Sequence, residues 1–172
     1  MSRRTPLLLA MVGTDHHPFQ RLVDWVDAWS VGQPGVECLI QYGTAAPPRH
    51  ANGTAYAEHD ELCRWMDAAA ILVCHGGPST ILEARRCGRR PIVVPRSARW
   101  GEHVDDHQVR FTGRLARSDL VLTAATQREF DALLDTVVDD PASLQLGSGE
   151  KDVATGVAVQ RFGDLVSGLF DR

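Results

Sequence analysis

Long apolar runs are the first thing missing from this chain of 172 residues. No segment approaches the roughly 20 apolar residues that a helix needs to cross a bilayer, so any membrane contact is expected to be peripheral or through a partner. The opening MSRRTPLLLAMVG has an apolar run of about seven residues and no small-residue cleavage pattern. It flows into Gly13-Thr14 and reads as a buried first strand rather than a signal peptide. Basic excess is missing too. Lys and Arg number 18 against 22 Asp and Glu, for a net charge of −4. That balance gives no reason to expect a nucleic-acid partner, although a local basic patch facing anionic lipid stays compatible with it. Paired cysteines are also lacking. Cys38, Cys63, Cys74 and Cys87 form no CxxC and no metal-finger spacing. Each stands in an apolar or helical context, which argues for reduced thiols and a cytoplasmic setting.

What is present is an ordinary globular balance, 44% apolar and 23% charged, at a length that suits one domain over 1–172. Strand and helix patterns alternate. Leu7–Val12 is a continuous apolar run ended by Gly13, as in a strand buried on both faces. Phe19, Leu22, Val23, Val26 and Trp29 fall at helical spacing between Pro18 and Trp29. Val36–Tyr42 predicts a second strand, and Gly43–Thr54 a long polar loop rich in Gly and Pro. A helix follows over Glu58–Ala69, then a strand over Ala70–Cys74 and a short helix over Ser79–Cys87 closed by Gly88. Pro91–Pro95 is a fourth strand, His103–Ala116 a helix, Leu120–Leu122 a short fifth strand and Gln127–Val138 another helix. Asp140–Thr155 reads as a loop, and a last helix is expected at about Val157–Phe170. The alternation predicts an α/β fold, a Rossmann-like parallel sheet with helices on both faces.

Ligands of such sheets bind at the carboxyl ends of the strands. Four turns then share one edge: Gly13-Thr14 with Asp15, His16 and His17; Gly43–Thr54; His75–Ser79; and Arg96–Asp106. The stretch LVCHGGPSTILE (Leu72–Glu83) carries the most information. An apolar strand ends in Gly76-Gly77, and a helix opens on Pro78, Ser79 and Thr80, presenting backbone N–H groups and the positive end of its dipole to an anion such as a diphosphate. The alternative is a tight turn with Ser79 or Thr80 as cap. It is neither a Walker loop nor GxGxxG. Glu83, one turn on, suits either a sugar diol or simple dipole complementarity. His75 is a candidate ligand contact, and His16 and His17 a candidate base or phosphate contact, or a solvated helix start.

GEHVDDHQ (Gly101–Gln108) brings Glu102, His103, Asp105, Asp106, His107 and Gln108 together. A metal site is the obvious temptation. The spacing matches no familiar ligand set, and a helix through these residues would scatter them around its circumference, so no metal is expected. Hydrogen bonding to sugar hydroxyls by Asp106, His107 and Gln108 is the better use of these groups, and an exposed polar helix start is the alternative.

HGGPSTILEA, the strand PIVVPR and GEHVDDHQ in combination resemble the C-terminal domain of glycosyltransferase family twenty-eight. The short chain is most similar to the separate catalytic subunits of bipartite enzymes, the dolichol-pathway UDP-GlcNAc transferase and bacterial exopolysaccharide transferases of the PssE type. VGTDHHPFQRLVDWVD (Val12–Asp27) resembles their opening pattern. The likeness runs over roughly Leu7–Leu122. It implies the donor-binding C-terminal half of a GT-B enzyme, with a UDP-sugar as donor substrate and no further cofactor. By motif, Gly76, Gly77, Ser79 and Thr80 would take the diphosphate, Glu83 the ribose, and Asp106, His107 and Gln108 the donor sugar. Gly13, Thr14 and His75 would belong to the same site, with Tyr56 and Ala57 near the uracil. Gly-Pro replaces the Ala-Gly of the dolichol pattern, which removes one amide from the cradle.

The expected function is therefore the donor-binding subunit of a bipartite glycosyltransferase, transferring sugar to a lipid-linked acceptor in polysaccharide synthesis. Its expected partner is a membrane-associated acceptor-binding subunit that holds it at the inner face of the membrane. His16 is the base or leaving-group candidate within this chain. The alternatives are a stand-alone UDP-sugar hydrolase and a non-catalytic nucleotide-sugar-binding protein.

Overall fold

The computed structural model describes residues 5–147 and 163–164. β1 (Leu7–Met11) lies at the centre, and its alternation explains the layers. Leu8, Ala10 and Val12 enter one apolar cluster, while Leu9 and Met11 enter another on the opposite face. A strand buried on both faces must be apolar throughout, and LLLAM meets that demand.

Around it run β2 (Glu37–Gln41), β3 (Asn52–Thr54), β4 (Ile71–Cys74), β5 (Ile92–Val93) and β6 (Leu122–Thr123). All pair in parallel, in the order β3-β2-β1-β4-β5-β6. Parallel neighbours need crossovers, and the helices supply them. α1 (Gln20–Val31) and α5 (Gln127–Asp139) cover one face through Phe19, Leu22, Val26, Phe130 and Leu134. α2 (His59–Ala68), α3 (Pro78–Arg86) and α4 (His107–Arg117) cover the other through Met66, Ile81, Ala84, Phe111 and Leu115. The chain winds outward from β1 in one direction and then, starting at β4, in the other. The crevice between β1 and β4 is thus the topological switch point, where open α/β sheets place ligands.

Three local expectations change. The loop Gly43–Thr54 ends in an edge strand, β3, pairing Leu39 with Asn52 and Gln41 with Thr54. An edge strand backed by little core needs no apolar residues, so Asn-Gly-Thr carries no strand signal. The helix expected from His103 begins only at His107. The preceding residues form a single 3₁₀ turn, Ala98–Trp100, and a run of bends, with Gly101 at φ 67° in the left-handed region. Within the loop expected after Asp140, Pro141–Leu144 forms a 3₁₀ turn whose following residue bridges Arg89. The helix expected at Val157–Phe170 lies, but for Gly163 and Asp164, outside the described residues. Among the described residues no helix is long and apolar enough to cross a membrane.

Candidate functional site

The carboxyl ends of β1, β2 and β4 open onto a cleft of about 410 Å³. Its walls come from Gly13, Thr14 and Asp15 after β1, Gln41 on β2, Tyr56 and Ala57 before α2, and His75, Gly77, Pro78, Ser79 and Thr80 after β4, with Gln108 closing one side. Of the residues singled out from sequence, Gly13, Thr14, Tyr56, His75, Gly77, Ser79, Thr80 and Gln108 therefore meet in one cavity. Gly76, Glu83, Asp106, His107 and His16 do not line it. Ala57, Asp15 and Pro78 line it too, each from a segment the sequence had pointed to, while Met11, Gln41 and Leu62 line it without having been singled out.

His75 is the centre of the packing. Its ring lies so close to the backbone on both sides that side chains there would collide with it. A Cβ on Gly77 would meet Cε1 at 2.2 Å, and one on Gly13 would meet Nε2 at 2.5 Å. Gly13 also has φ 83°, which disfavours any other residue. Both glycines are thus required by a histidine, a coupling across 62 positions that no local motif displays. His75 Nε2 lies 3.3 Å from Thr80 Oγ1, while Nδ1 is buried with no hydrogen-bond partner. Burial, with the positive charge of Arg96 nearby, lowers its pKa to about 4. The imidazole facing the cleft is neutral at pH 7.

Gly76 is tight for another reason. A Cβ there would meet Gln108 Cβ and Thr112 Oγ1 at 2.9 Å. Its N–H is taken by Gln108 Oε1 at 3.0 Å, and the same oxygen accepts from the Arg96 N–H at 3.2 Å. Gln108 is a clamp joining the ends of β4 and β5. Gln41 does the same between β1 and β3: Oε1 accepts from Gly13 N at 3.2 Å, and Nε2 donates to Gly13 O at 3.2 Å and Ala55 O at 2.8 Å.

α3 opens with Gly77 as N-cap and Pro78 at the first helical position, and no side chain caps it. Pro78 has no N–H, and the Gly76 amide is spent on Gln108. The backbone donors that the turn can offer to the cleft are therefore those of Gly77, Ser79 and Thr80. They sit at the positive end of the helix dipole, an arrangement that receives a phosphate group.

Behind this edge lies Arg96, 1% exposed. Nη1 donates to His17 O at 2.6 Å and Glu102 O at 3.0 Å, Nη2 donates to Val12 O at 2.8 Å, and the guanidinium stacks on Phe19. One buried cation thus fastens the loops after β1 and β5. Glu102 is equally structural: it takes Arg21 Nε at 2.7 Å and Nη2 at 2.8 Å, and Ser97 N at 3.0 Å. Asp106 Oδ1 accepts from Ser97 Oγ and Ala98 N, both at 2.9 Å. The bends over 101–106 owe their shape to these contacts. Sequence reasoning gave Arg96 no part. A lone arginine after a strand carries no signal of burial, since arginine is seldom fully buried.

Asp15 marks the rim. Burial opposes its ionisation, but the His17 backbone N–H at 2.8 Å, the His17 ring at 2.7 Å and the Arg96 charge bring its pKa down to about 2. His16 is exposed, with Nδ1 3.8 Å from Asp15 Oδ1. Glu83 lies half-buried further along α3.

Comparison with known proteins agrees with this geometry. The family model of the glycosyltransferase family 28 C-terminal domain matches residues 9–159. The chain is 28% identical over 162 residues to the UDP-N-acetylglucosamine--N-acetylmuramyl-(pentapeptide) pyrophosphoryl-undecaprenol N-acetylglucosamine transferase of Xanthomonas oryzae pv. oryzae. That match covers 83% of this chain and 35% of that protein. It is 26% identical over 133 residues to the UDP-N-acetylglucosamine transferase subunit ALG13 of Yarrowia lipolytica, covering 70% of this chain and 66% of the subunit. The chain thus spans about a third of the bacterial relative and about two thirds of the fungal one. Among solved structures, the glycotransferase of kitacinnamycin superimposes with a TM-score of 0.61 at 15% identity, over 96% of this chain and 43% of that one. Such a likeness speaks for the fold, and the fold is one half of a GT-B glycosyltransferase.

Proposed function

The chain belongs to the glycosyltransferase family 28 C-terminal domain family, and from that premise we propose that it is the donor-binding half of a bipartite UDP-sugar glycosyltransferase. The observation that carries this reading is the cleft at the switch point, with the uncapped start of α3 facing it. The amides of Gly77, Ser79 and Thr80 receive the diphosphate, and neutral His75 lies beside it without repelling or neutralising it. Developing charge on the departing diphosphate is stabilised by these fixed dipoles. Tyr56 and Ala57 flank the base, and Glu83 serves the ribose. Gln108 holds its oxygen on backbone N–H groups, which leaves its amide nitrogen to meet the donor sugar, with Asp106 and His107 shaping the loop beside it.

The acceptor belongs to a second subunit, a reading supported by the name of the fungal relative, itself a transferase subunit, and on this reading the partner is membrane-associated. The acceptor is lipid-linked, and the setting is polysaccharide synthesis. Proton removal from the acceptor hydroxyl needs a base of higher pKa than Asp15. Exposed His16, beside the Asp15 carboxylate, is the candidate within this chain.

A thermal-shift titration with UDP, UDP-GlcNAc, UDP-glucose and GDP-mannose tests the reading. Ligand at a hundred times its dissociation constant adds about 2.7 kcal/mol of stability. Stabilisation by uridine nucleotides that is lost in Glu83→Ala supports it. No stabilisation by any nucleotide, alone or with the co-expressed partner, overturns it.

A further inference from the structure

The rim beside the cleft holds a second cluster, which shares His107 with the loop beside the donor sugar. His103, Asp105 and His107 bring one ligand atom each to within 4.8 Å of one another. On a helix Asp105 would diverge from His103 and His107, which would stand one turn apart on the same face, but α4 begins only at His107, and the bends before it bring the ligand atoms of all three together. Asp105 Oδ1 takes the His107 N–H at 2.9 Å and contacts the His107 ring nitrogen, which locks the turn. The same oxygen lies 3.7 Å from His103 Nδ1. Donors around a tetrahedral Zn²⁺, each about 2.0–2.2 Å from the ion, stand roughly 3.3 Å apart.

Two further observations point to a ligand here. His103 Nδ1 is buried with no hydrogen-bond partner, a cost that coordination would remove. The other nitrogen of the same ring, Nε2, faces Asp15 Oδ2 at 3.6 Å. A carboxylate behind a ligating histidine is the arrangement that fixes the tautomer and raises the basicity of the metal-bound nitrogen. Asp15 is itself held by His17, whose ring lies 6.1 Å from that of His103.

We propose that His103, Asp105 and His107 form a binding site for a borderline divalent transition metal of the Zn²⁺ type, with Asp15 as the supporting carboxylate. Two imidazoles and one carboxylate favour such an ion over Mg²⁺ or Ca²⁺, which take oxygen donors. Three protein ligands leave a coordination position for water or an exogenous oxygen. Binding opens the short contact between Asp105 Oδ1 and the His107 ring nitrogen and ties the bends before α4 to its start, next to Gln108. The site adjoins the nucleotide cleft, which Asp15 also lines, but its test reads metal binding alone and does not depend on the nucleotide reading.

The 172-residue chain, treated with chelator and titrated with Co²⁺, provides the test. The expected result is a visible d–d absorption band saturating at one equivalent and abolished by Zn²⁺ but not by millimolar Mg²⁺. His107→Ala, on the exposed side of the cluster, and the double variant His103→Ala/His107→Ala lose the band, while His59→Ala, on α2 and outside the cluster, retains it. Asp15→Asn weakens Co²⁺ affinity about tenfold. No band in the parent protein, or an equal band in the double variant, overturns the proposal.

Discussion

α3 and α5 both follow a strand, and both open on residues with small or hydroxyl side chains, yet their first turns are satisfied in opposite ways. At α5, Thr126 caps the helix by accepting the Glu129 N–H at 3.2 Å, and Glu129 reaches back to accept the Ala125 N–H at 2.8 Å. The orphan donors are met by neighbours within a few positions, as in a capping box. At α3 no side chain caps the turn. What shapes it comes from far away in the chain: Gln108 on Gly76, and the His75 ring wedged between Gly13 and Gly77. A helix end closed by its own sequence is finished. One built by distant elements, with its N–H groups turned to a cleft, is open for a ligand.

If the open end depends on remote fasteners, removing one should cost more than any local change. Arg96→Met takes the donors from the carbonyls of Val12, His17 and Glu102. Unsatisfied buried groups cost about 1–3 kcal/mol each, so several kcal/mol are lost. The expected outcome, read by chemical denaturation, is the largest loss of any variant here. It should be accompanied by failure to show nucleotide stabilisation in whatever fraction still folds.

The second test uses pH. The folded pKa of His75, about 4, lies below the ordinary 6.5. Between those values the unfolded chain binds the extra proton, so stability rises with pH across this window. The stabilisation is complete above pH 6.5 and lost as pH falls toward 4, on the order of 3 kcal/mol in all. His103, lowered by burial and by neighbouring His107, contributes with the same sign. Asp15 acts elsewhere: its lowered pKa stabilises above the usual carboxylate value near 3.8 and is lost as pH falls toward 2. Denaturation midpoints measured from pH 4.5 to 7.5 should therefore slope upward, and His75→Asn should flatten most of that slope. An unchanged slope would mean that the ring is not held neutral by the fold.

Gly13→Ala is expected to be smaller, about 2 kcal/mol, from a left-handed φ and a 2.5 Å encounter with His75 Nε2. Its effect on UDP binding should exceed its effect on stability, because the displaced ring lies against the turn proposed to hold the diphosphate. Melting with and without UDP separates the two.

The same contrast explains what could be read from the sequence. The parallel sheet, the helix faces and the edge on which four turns meet all followed from apolar periodicity, which reports near neighbours. The cavity duly gathers Gly13, Thr14, Tyr56, His75, Gly77, Ser79, Thr80 and Gln108. What escaped was non-local or too short. β3 has three residues without an apolar side chain, so only its pairing with β2 reveals it. Arg96 becomes a fastener only because loops from β1 and β5 close over it. The start of α4 was placed four residues early because GEHVDD carries no breaker between Gly101 and His107. The capture of Asp106 by Ser97 and Ala98, and of Glu102 by Arg21, is what holds those residues out of the helix.

The smallest effect discriminates best. Thr126→Ala should cost about 1 kcal/mol, the usual worth of an N-cap hydroxyl, and leave the UDP-induced rise in melting temperature untouched, since α5 covers the other face of the sheet. Ser79→Ala should do the reverse. The Ser79 side chain caps nothing and is exposed, so stability should move by less than about 0.5 kcal/mol, while the UDP-induced rise should shrink if, as proposed, its hydroxyl helps hold the diphosphate. If Ser79→Ala instead lowers stability as Thr126→Ala does, with nucleotide binding intact, α3 is merely another capped helix and the distinction between its end and that of α5 falls. A double-mutant comparison should be additive in stability, because the two helix ends lie on opposite faces and share no partner.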